Sequence, residues 1–213
     1  MSNIAALLNG SDRLEVFAKR YFDYIATLLV KMDTAAIALF AEEIEAARTD
    51  HRTVFVVGNG GSASTASHLA IDFGFGATRG LASAPFRVLA LTDNTAAVTA
   101  AANDEGYPEV FVSQLGVHYR RGDLLIAISA SGNSPNVVRA AKWVKERGGK
   151  VLGLVGFDGG ELSPLCDVVL HVHTPKGEYG PVEDIHLILN HLVAAWLRHR
   201  VGAQHRRCNA TVP

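Results

Sequence analysis

The chain is poor in sulfur and has almost no net charge. Its 213 residues include two cysteines and two methionines. Cys166 and Cys208 form neither a CxxC pair nor a disulfide framework, so they read as free thiols of a reducing compartment. Lysine and arginine total 20 against 21 acidic residues, a formal charge of -1. Like charges gather only in the short "RHR" and "HRR" near the end, which excludes a general nucleic-acid surface. No run of eighteen apolar residues exists, so a membrane-spanning helix is excluded. The first twenty residues are interrupted by "NGSDRLEVFAKR" and lack the apolar core of a signal peptide. The glycosylation pattern "NAT" at Asn209 is therefore read as accidental, and a cytoplasmic location is expected.

What is present describes a folded globular chain, with 48% hydrophobic and 19% charged residues. The length suits one large domain with helical additions. Asp12 and Glu15 have the spacing of a helix capping box. Leu14, Phe17, Tyr21, Ile25 and Leu28 then recur at helical spacing, and a second helix is expected from Thr34 to Arg48, with Ile37, Phe40, Ala41, Ile44 and Ala47 on one face. Two helices ahead of the first strand exceed what a small sheet domain can cover. They are expected to pack on a partner subunit as well as on their own core.

From residue 53 the texture changes to short apolar runs: 53–57, 86–91, 124–129, 151–155 and 168–172. Continuous β-branched and leucine runs, without alternation, indicate strands buried on both faces of a parallel sheet. Helical patterns lie between them at 62–73, 94–102, 108–119 and 134–147, the last closed by Gly148. A long helix at 181–200 ends the pattern. Alternating strands and helices predict a three-layer α/β/α sandwich with a five-stranded parallel sheet. The expected division is N-terminal helices over 1–50, the α/β domain over 51–202, and a flexible tail over 203–213.

Two strand-to-helix junctions are rich in small polar residues: "GNGGSAS" (58–64) and "SASGNS" (129–134). Glycines let backbone N–H groups approach an anion, and serine hydroxyls add donors at a helix N-terminus. Neither loop holds a lysine, so this is not a P-loop. Two such loops at equivalent points of one sheet suggest a phosphate ester. His68 and Asp72, at i and i+4, share a helix face. They suit a helical ion pair, proton chemistry or a metal. Glu183 and His191 are eight residues apart on the closing helix, about 80° around it, so both can border one cleft. Asp184 and His191 align more closely. Asp72 sits in the apolar "LAIDFGF", a poor setting for a merely solvated carboxylate.

"GNGGS…H", "AANDEGY", "DLLIAISASGNSPNV" and "VEDIHLILNH" together resemble the SIS (sugar isomerase) domain family, in its phosphoheptose isomerase branch. The resemblance spans nearly the whole chain. It implies a flavodoxin-like fold, a homotetramer and active sites at subunit interfaces. It implies aldose–ketose isomerisation of a sugar phosphate, sedoheptulose 7-phosphate above all, with no nucleotide cofactor. It places the substrate on Asn59, Gly60, Ser62, Asn103, Asp104, Ser129, Ser131, Ser134 and Glu183. It assigns proton transfer to Asp72 and His191, and zinc to His68, Asp72, Glu183 and His191.

The sequence departs from the branch at several points. Asp72 stands where Glu is usual, Glu183 where Gln is usual, and Ala130 where the usual threonine would give a phosphate hydroxyl. "YGPVE" lacks the customary acidic residue before the glutamine position. The segment "FGFGATRGLASAP", with Arg79, is longer than usual. A rival reading is a non-catalytic SIS tetramer that binds a protein partner of the replication-initiator type or senses a sugar phosphate. Both histidines weigh against it, since a scaffold needs neither. An isomerase for a different phosphosugar is the third reading.

Overall fold

A computed structural model describes the fold of residues 2–81 and 83–210, with side chains described for all of these except His205 and 207–210. The side chains of Cys208 and Asn209 and the last three residues of the expected tail therefore lie outside what is described. Three helices come first: α1 (Asn3–Asn9), α2 (Leu14–Val30) and α3 (Thr34–Thr49). The sequence reading missed α1, a short helix capped by the Ser2 hydroxyl. The Asp12–Glu15 capping box does not form. Arg13 occupies the N-cap of α2 and its guanidinium pairs with Glu15 instead. Asp33 does cap α3, accepting from the amides of Ala35 and Ala36 at 2.9 and 3.1 Å.

The sheet then builds from β1 (Thr53–Val57), β2 (Arg87–Ala90), β3 (Leu124–Ser129), β4 (Lys150–Gly156) and β5 (Val168–Val172). The five strands are all parallel, in the order β2-β1-β3-β4-β5. Strand side chains alternate between faces, so each strand feeds two cores. Val54, Val56, Leu124, Ile126, Ile128, Leu152 and Leu154 join one core with α3 and the closing helix. Phe55, Val57, Leu125, Ala127, Val151 and Val155 join the other. Burial on both faces is the reason the runs of the central strands β1, β3 and β4 are apolar throughout, whereas edge strand β2 is largely exposed.

The helices between strands are α4 (Gly60–Ile71), α5 (Thr95–Asp104), α6 (Val110–His118) and α7 (Pro135–Glu146). A single π turn, Asp72–Gly76, extends α4, and the amide of Ala77 bonds to the Asp72 carbonyl at 2.9 Å. Gly148 adopts φ +68 just past α7, with the Gly148 and Gly149 amides returning to Lys145 and Val144, both at 3.0 Å. That pattern is the Schellman stop that a glycine permits. The closing helix α8 runs Tyr179–Ala210, ten residues beyond the expected end near 200. His186 lies on its sheet face, fully buried with Nε2 3.3 Å from the Val155 carbonyl, and burial pushes its pKa down to about 4. Among the described residues no single helix is long and apolar enough to cross a membrane.

Strand order reverses between β1 and β3, and a doubly wound sheet opens its crevice at the carboxyl ends of such a pair. Both small-residue loops leave the sheet at that point.

Candidate active site

The two loops meet in a recess of about 220 Å³. From the β1–α4 junction come Asn59, Gly60, Gly61 and Ser62; from β3–α7 come Ser129, Ala130, Ser131 and Ser134; from α8 come Tyr179 and Glu183. Ser62 and Ser129 are buried, and the Ser129 hydroxyl donates to Ser134 at 3.2 Å. Ser134 sits at the N-cap position of α7 without a side-chain capping bond, and Ser62 lies in the first turn of α4, so two helix N-termini, each with unpaired N–H groups and a positive dipole end, border the recess. Gly60 (φ +53) and Gly132 (φ +64) take left-handed turns, and a Cβ on Gly132 would strike the Gly159 carbonyl. A side chain is sterically excluded at Gly132 and would be strained at Gly60.

Asn59 is held by its own partners. It exchanges two amide hydrogen bonds of 2.8 Å with the buried Asn136, and the Tyr107 hydroxyl donates to its Oδ1 at 2.9 Å. Tyr107 is therefore the residue of "AANDEGY" that reaches the recess wall. Asn103 and Asp104 bond to each other at 2.7 Å in an exposed position at the end of α5, and neither lines the recess. Tyr107, Asn136 and Tyr179 escaped the sequence reading. Each acts through a long-range contact that periodicity does not register.

A second group lies farther along the same helices. His68, Asp72 and His191 each offer a donor atom within 4.8 Å of the others. His68 Nε2 is 3.3 Å and His191 Nε2 3.8 Å from Asp72 Oδ2, and the two imidazole nitrogens are 3.2 Å apart. Asn190, buried and not foreseen, donates to the same carboxylate oxygen at 2.7 Å. Arg198 donates to the carbonyls of Gly76 and Arg79 at 2.6 and 3.3 Å, tying the π turn after Asp72 to α8.

Glu183 is placed apart from the other three residues expected to share a metal. Its carboxylate lies against Gly61, where a Cβ would overlap it, and forms part of the serine recess. Burial raises its pKa above the ordinary carboxylate value, with the neighbouring Asp184 adding to the effect. The remaining donors suit a metal by a simple test. Two ligands at zinc's bond length of about 2.0–2.1 Å around a tetrahedral centre keep about 3.3 Å between them. The observed separations of 3.2, 3.3 and 3.8 Å are close to that spacing. Two imidazoles and one carboxylate also leave a position open for a substrate oxygen.

The fold and these two sites define a class: a doubly wound domain with a helix-dipole anion pocket and a histidine–carboxylate centre beside it. The SIS domain pattern matches residues 20–156. The phosphoheptose isomerase of Nitratidesulfovibrio vulgaris (strain Hildenborough) is 40% identical over 151 residues, covering 70% of this chain and 69% of the relative. That of Chlorobaculum parvum is 34% identical over 197 residues, covering 91% and 93%. The solved phosphoheptose isomerase of Neisseria gonorrhoeae superposes with a TM-score of 0.78 at 30% identity, covering 87% of this chain and 98% of that one. The chain belongs to the SIS domain family, in its phosphoheptose isomerase branch.

Proposed function

We propose that the chain is an aldose–ketose isomerase that interconverts sedoheptulose 7-phosphate and an aldoheptose 7-phosphate. The observation that carries this reading is the placement of both sites along one pair of helices. Six residues of α4 separate Ser62 from His68, a rise of about 9 Å. A seven-carbon sugar with its phosphate between the loops would extend its C1–C2 end towards His68, Asp72 and His191.

Ser62, Ser129, Ser131 and Ser134 hold the phosphate with hydroxyls and helix-terminal amides. Its dianionic form suits two helix N-termini without a cation. At the other end, isomerisation moves a proton between C1 and C2. It needs a base over the carbon and a proton donor at the oxygen, both in hydrogen-bond reach. The Asp72 carboxylate and the His191 imidazole take these two roles. Asn190 fixes the Asp72 carboxylate so that its basic oxygen faces the histidines. Zinc, held by His68, Asp72 and His191, would supply a Lewis acid for the substrate's carbonyl oxygen.

The cluster is open in the single chain, with the His191 side chain 54% and that of His68 43% exposed. Phe22, Phe75, Leu192 and Trp196 are exposed large apolar groups on α2, the π turn and α8. These features support the homotetramer implied by the family, with the neighbouring subunit closing the site. An assay of purified protein on sedoheptulose 7-phosphate tests the reading directly. Conversion to the aldose, reduced by chelator and restored by zinc, is expected. No conversion with added zinc, across C5–C7 sugar phosphates, would overturn it.

A further inference from the structure

The first turn of α8 carries both Tyr179 and Glu183 into the serine recess, so its placement sets one wall of that recess. On its outer side it is gripped by α2. The Tyr21 hydroxyl donates to Asp184 Oδ2 at 2.5 Å, and Gly180 leaves room beside that hydroxyl, 3.7 Å from where its Cβ would stand. One turn on, the Tyr24 hydroxyl donates to Glu178 Oε2 at 2.5 Å. Glu178 is 2% exposed, and its other oxygen accepts from the Asn3 and Ile4 amides at the start of α1, at 2.5 and 3.4 Å. Asn3 also donates from its side chain to the Tyr24 oxygen at 2.9 Å. The carboxylates hold both phenol protons in place, Tyr24 rising to about 12 and Tyr21 further still, in each case through burial first and the carboxylate bond second. On the inner side, Tyr179 packs edge-on against Phe157, with ring centroids 5.0 Å apart.

We propose that Tyr21 and Tyr24 are positioning residues for the sugar-phosphate site. From outside the recess they hold Asp184 and Glu178, and thereby fix the Tyr179 and Glu183 wall that the substrate meets. Asp184 is next to Glu183 and Glu178 next to Tyr179, so each phenol acts one residue away from a group on the wall. The two bonds straddle the start of α8, and losing either frees that turn to pivot on the Phe157 contact. The N-terminal helices thus have a function beyond covering apolar surface. This inference rests on the isomerase reading above.

The test removes only hydroxyls. Tyr21→Phe and Tyr24→Phe keep the rings and their packing, and each loses a hydrogen bond to a charged acceptor. Amide hydrogen exchange over residues 178–184 should quicken by roughly tenfold or more in each variant, with the sheet amides unchanged. KM for sedoheptulose 7-phosphate should rise about tenfold while kcat falls only a few-fold, as expected when ground-state placement is lost. The effect of Tyr21→Phe on exchange should vanish in an Asp184→Ala background, the coupling a direct pair must show. Unchanged exchange over 178–184 overturns the proposal, as does loss of protection spread evenly through the sheet. If the wild-type protein isomerises nothing, the functional reading fails. Exchange over 178–184 and its coupling to Asp184 then decide the role of the tyrosines by themselves.

Discussion

In the serine recess, the serines and glycines are held at strand ends, and Ser62 and Ser129 are 5% and 3% exposed. In the His68–Asp72–His191 cluster every functional atom is a side-chain terminus, contributed by helices more than a hundred residues apart, and the histidines stand half in solvent. The serine loops of the first arrangement are fixed as soon as β1 and β3 pair, and α8 adds the Tyr179 and Glu183 wall. The second depends on how α4 and α8 rotate against each other, and Asn190 and Arg198 are spent on holding that rotation. A rigid anion socket beside a side-chain centre separates holding the substrate from changing it. Mutations should therefore separate binding from turnover.

The largest effect is expected at the cluster. His191→Ala should lower kcat by roughly 10²–10⁴ with KM changed little, since a proton-transfer group contributes about that much. Steady-state kinetics decide it, and equal losses in the two parameters would erase the distinction between the regions. Next is Ser131→Ala, which removes one hydroxyl from the recess. Weakening of sugar-phosphate binding by about tenfold or more, with kcat retained, is the expected calorimetric and kinetic result. Unchanged affinity for Ser62→Ala, Ser131→Ala and Ser134→Ala alike would move the phosphate elsewhere. The smallest effect is expected for Asp72→Glu, which restores the residue usual in the branch. Asn190 already holds the shorter carboxylate at 2.7 Å. One added methylene should change kcat less than about tenfold, within what a general base still in hydrogen-bond reach loses. A loss matching that of His191→Ala would show that the cluster is fitted to aspartate.

The same contrast explains what could be read before any coordinates. Strands β1 and β3 fall on the apolar runs expected for them, because burial on both faces leaves an unbroken signal, and the run at β5 matches as well although that edge strand is only partly buried. The recess was legible because a β–α junction with glycines and serines has few other uses. His68 and Asp72 were legible as a pair because i, i+4 spacing is local. The meeting with His191 came from the family resemblance, since no local rule brings residue 68 to residue 191. Glu183 was expected beside these residues, yet its carboxylate lies against Gly61 of α4. Tyr21, Tyr24, Asn136 and Asn190 were missed for one reason. Each is an ordinary helix residue until its distant partner is known. The capping box at Asp12 and Glu15 was a local rule that lost to a nearer charge, Arg13.

The π turn at Asp72–Gly76 has a consequence for how this chain can vary. An extra residue inserted into an α-helix rotates everything after it by about 100°, which normally scrambles a face. A π turn absorbs such a residue locally, and here it begins at Asp72, so His68 and Asp72 keep their α-helical spacing whatever follows. Arg198 then anchors the far side of the turn at Gly76 and Arg79. The longer "FGFGATRGLASAP" segment contains both the turn and these anchor points, and its residues after Arg79 follow them in the chain. Insertions or deletions after Arg79 should therefore leave the donor atoms of His68 and Asp72 undisturbed.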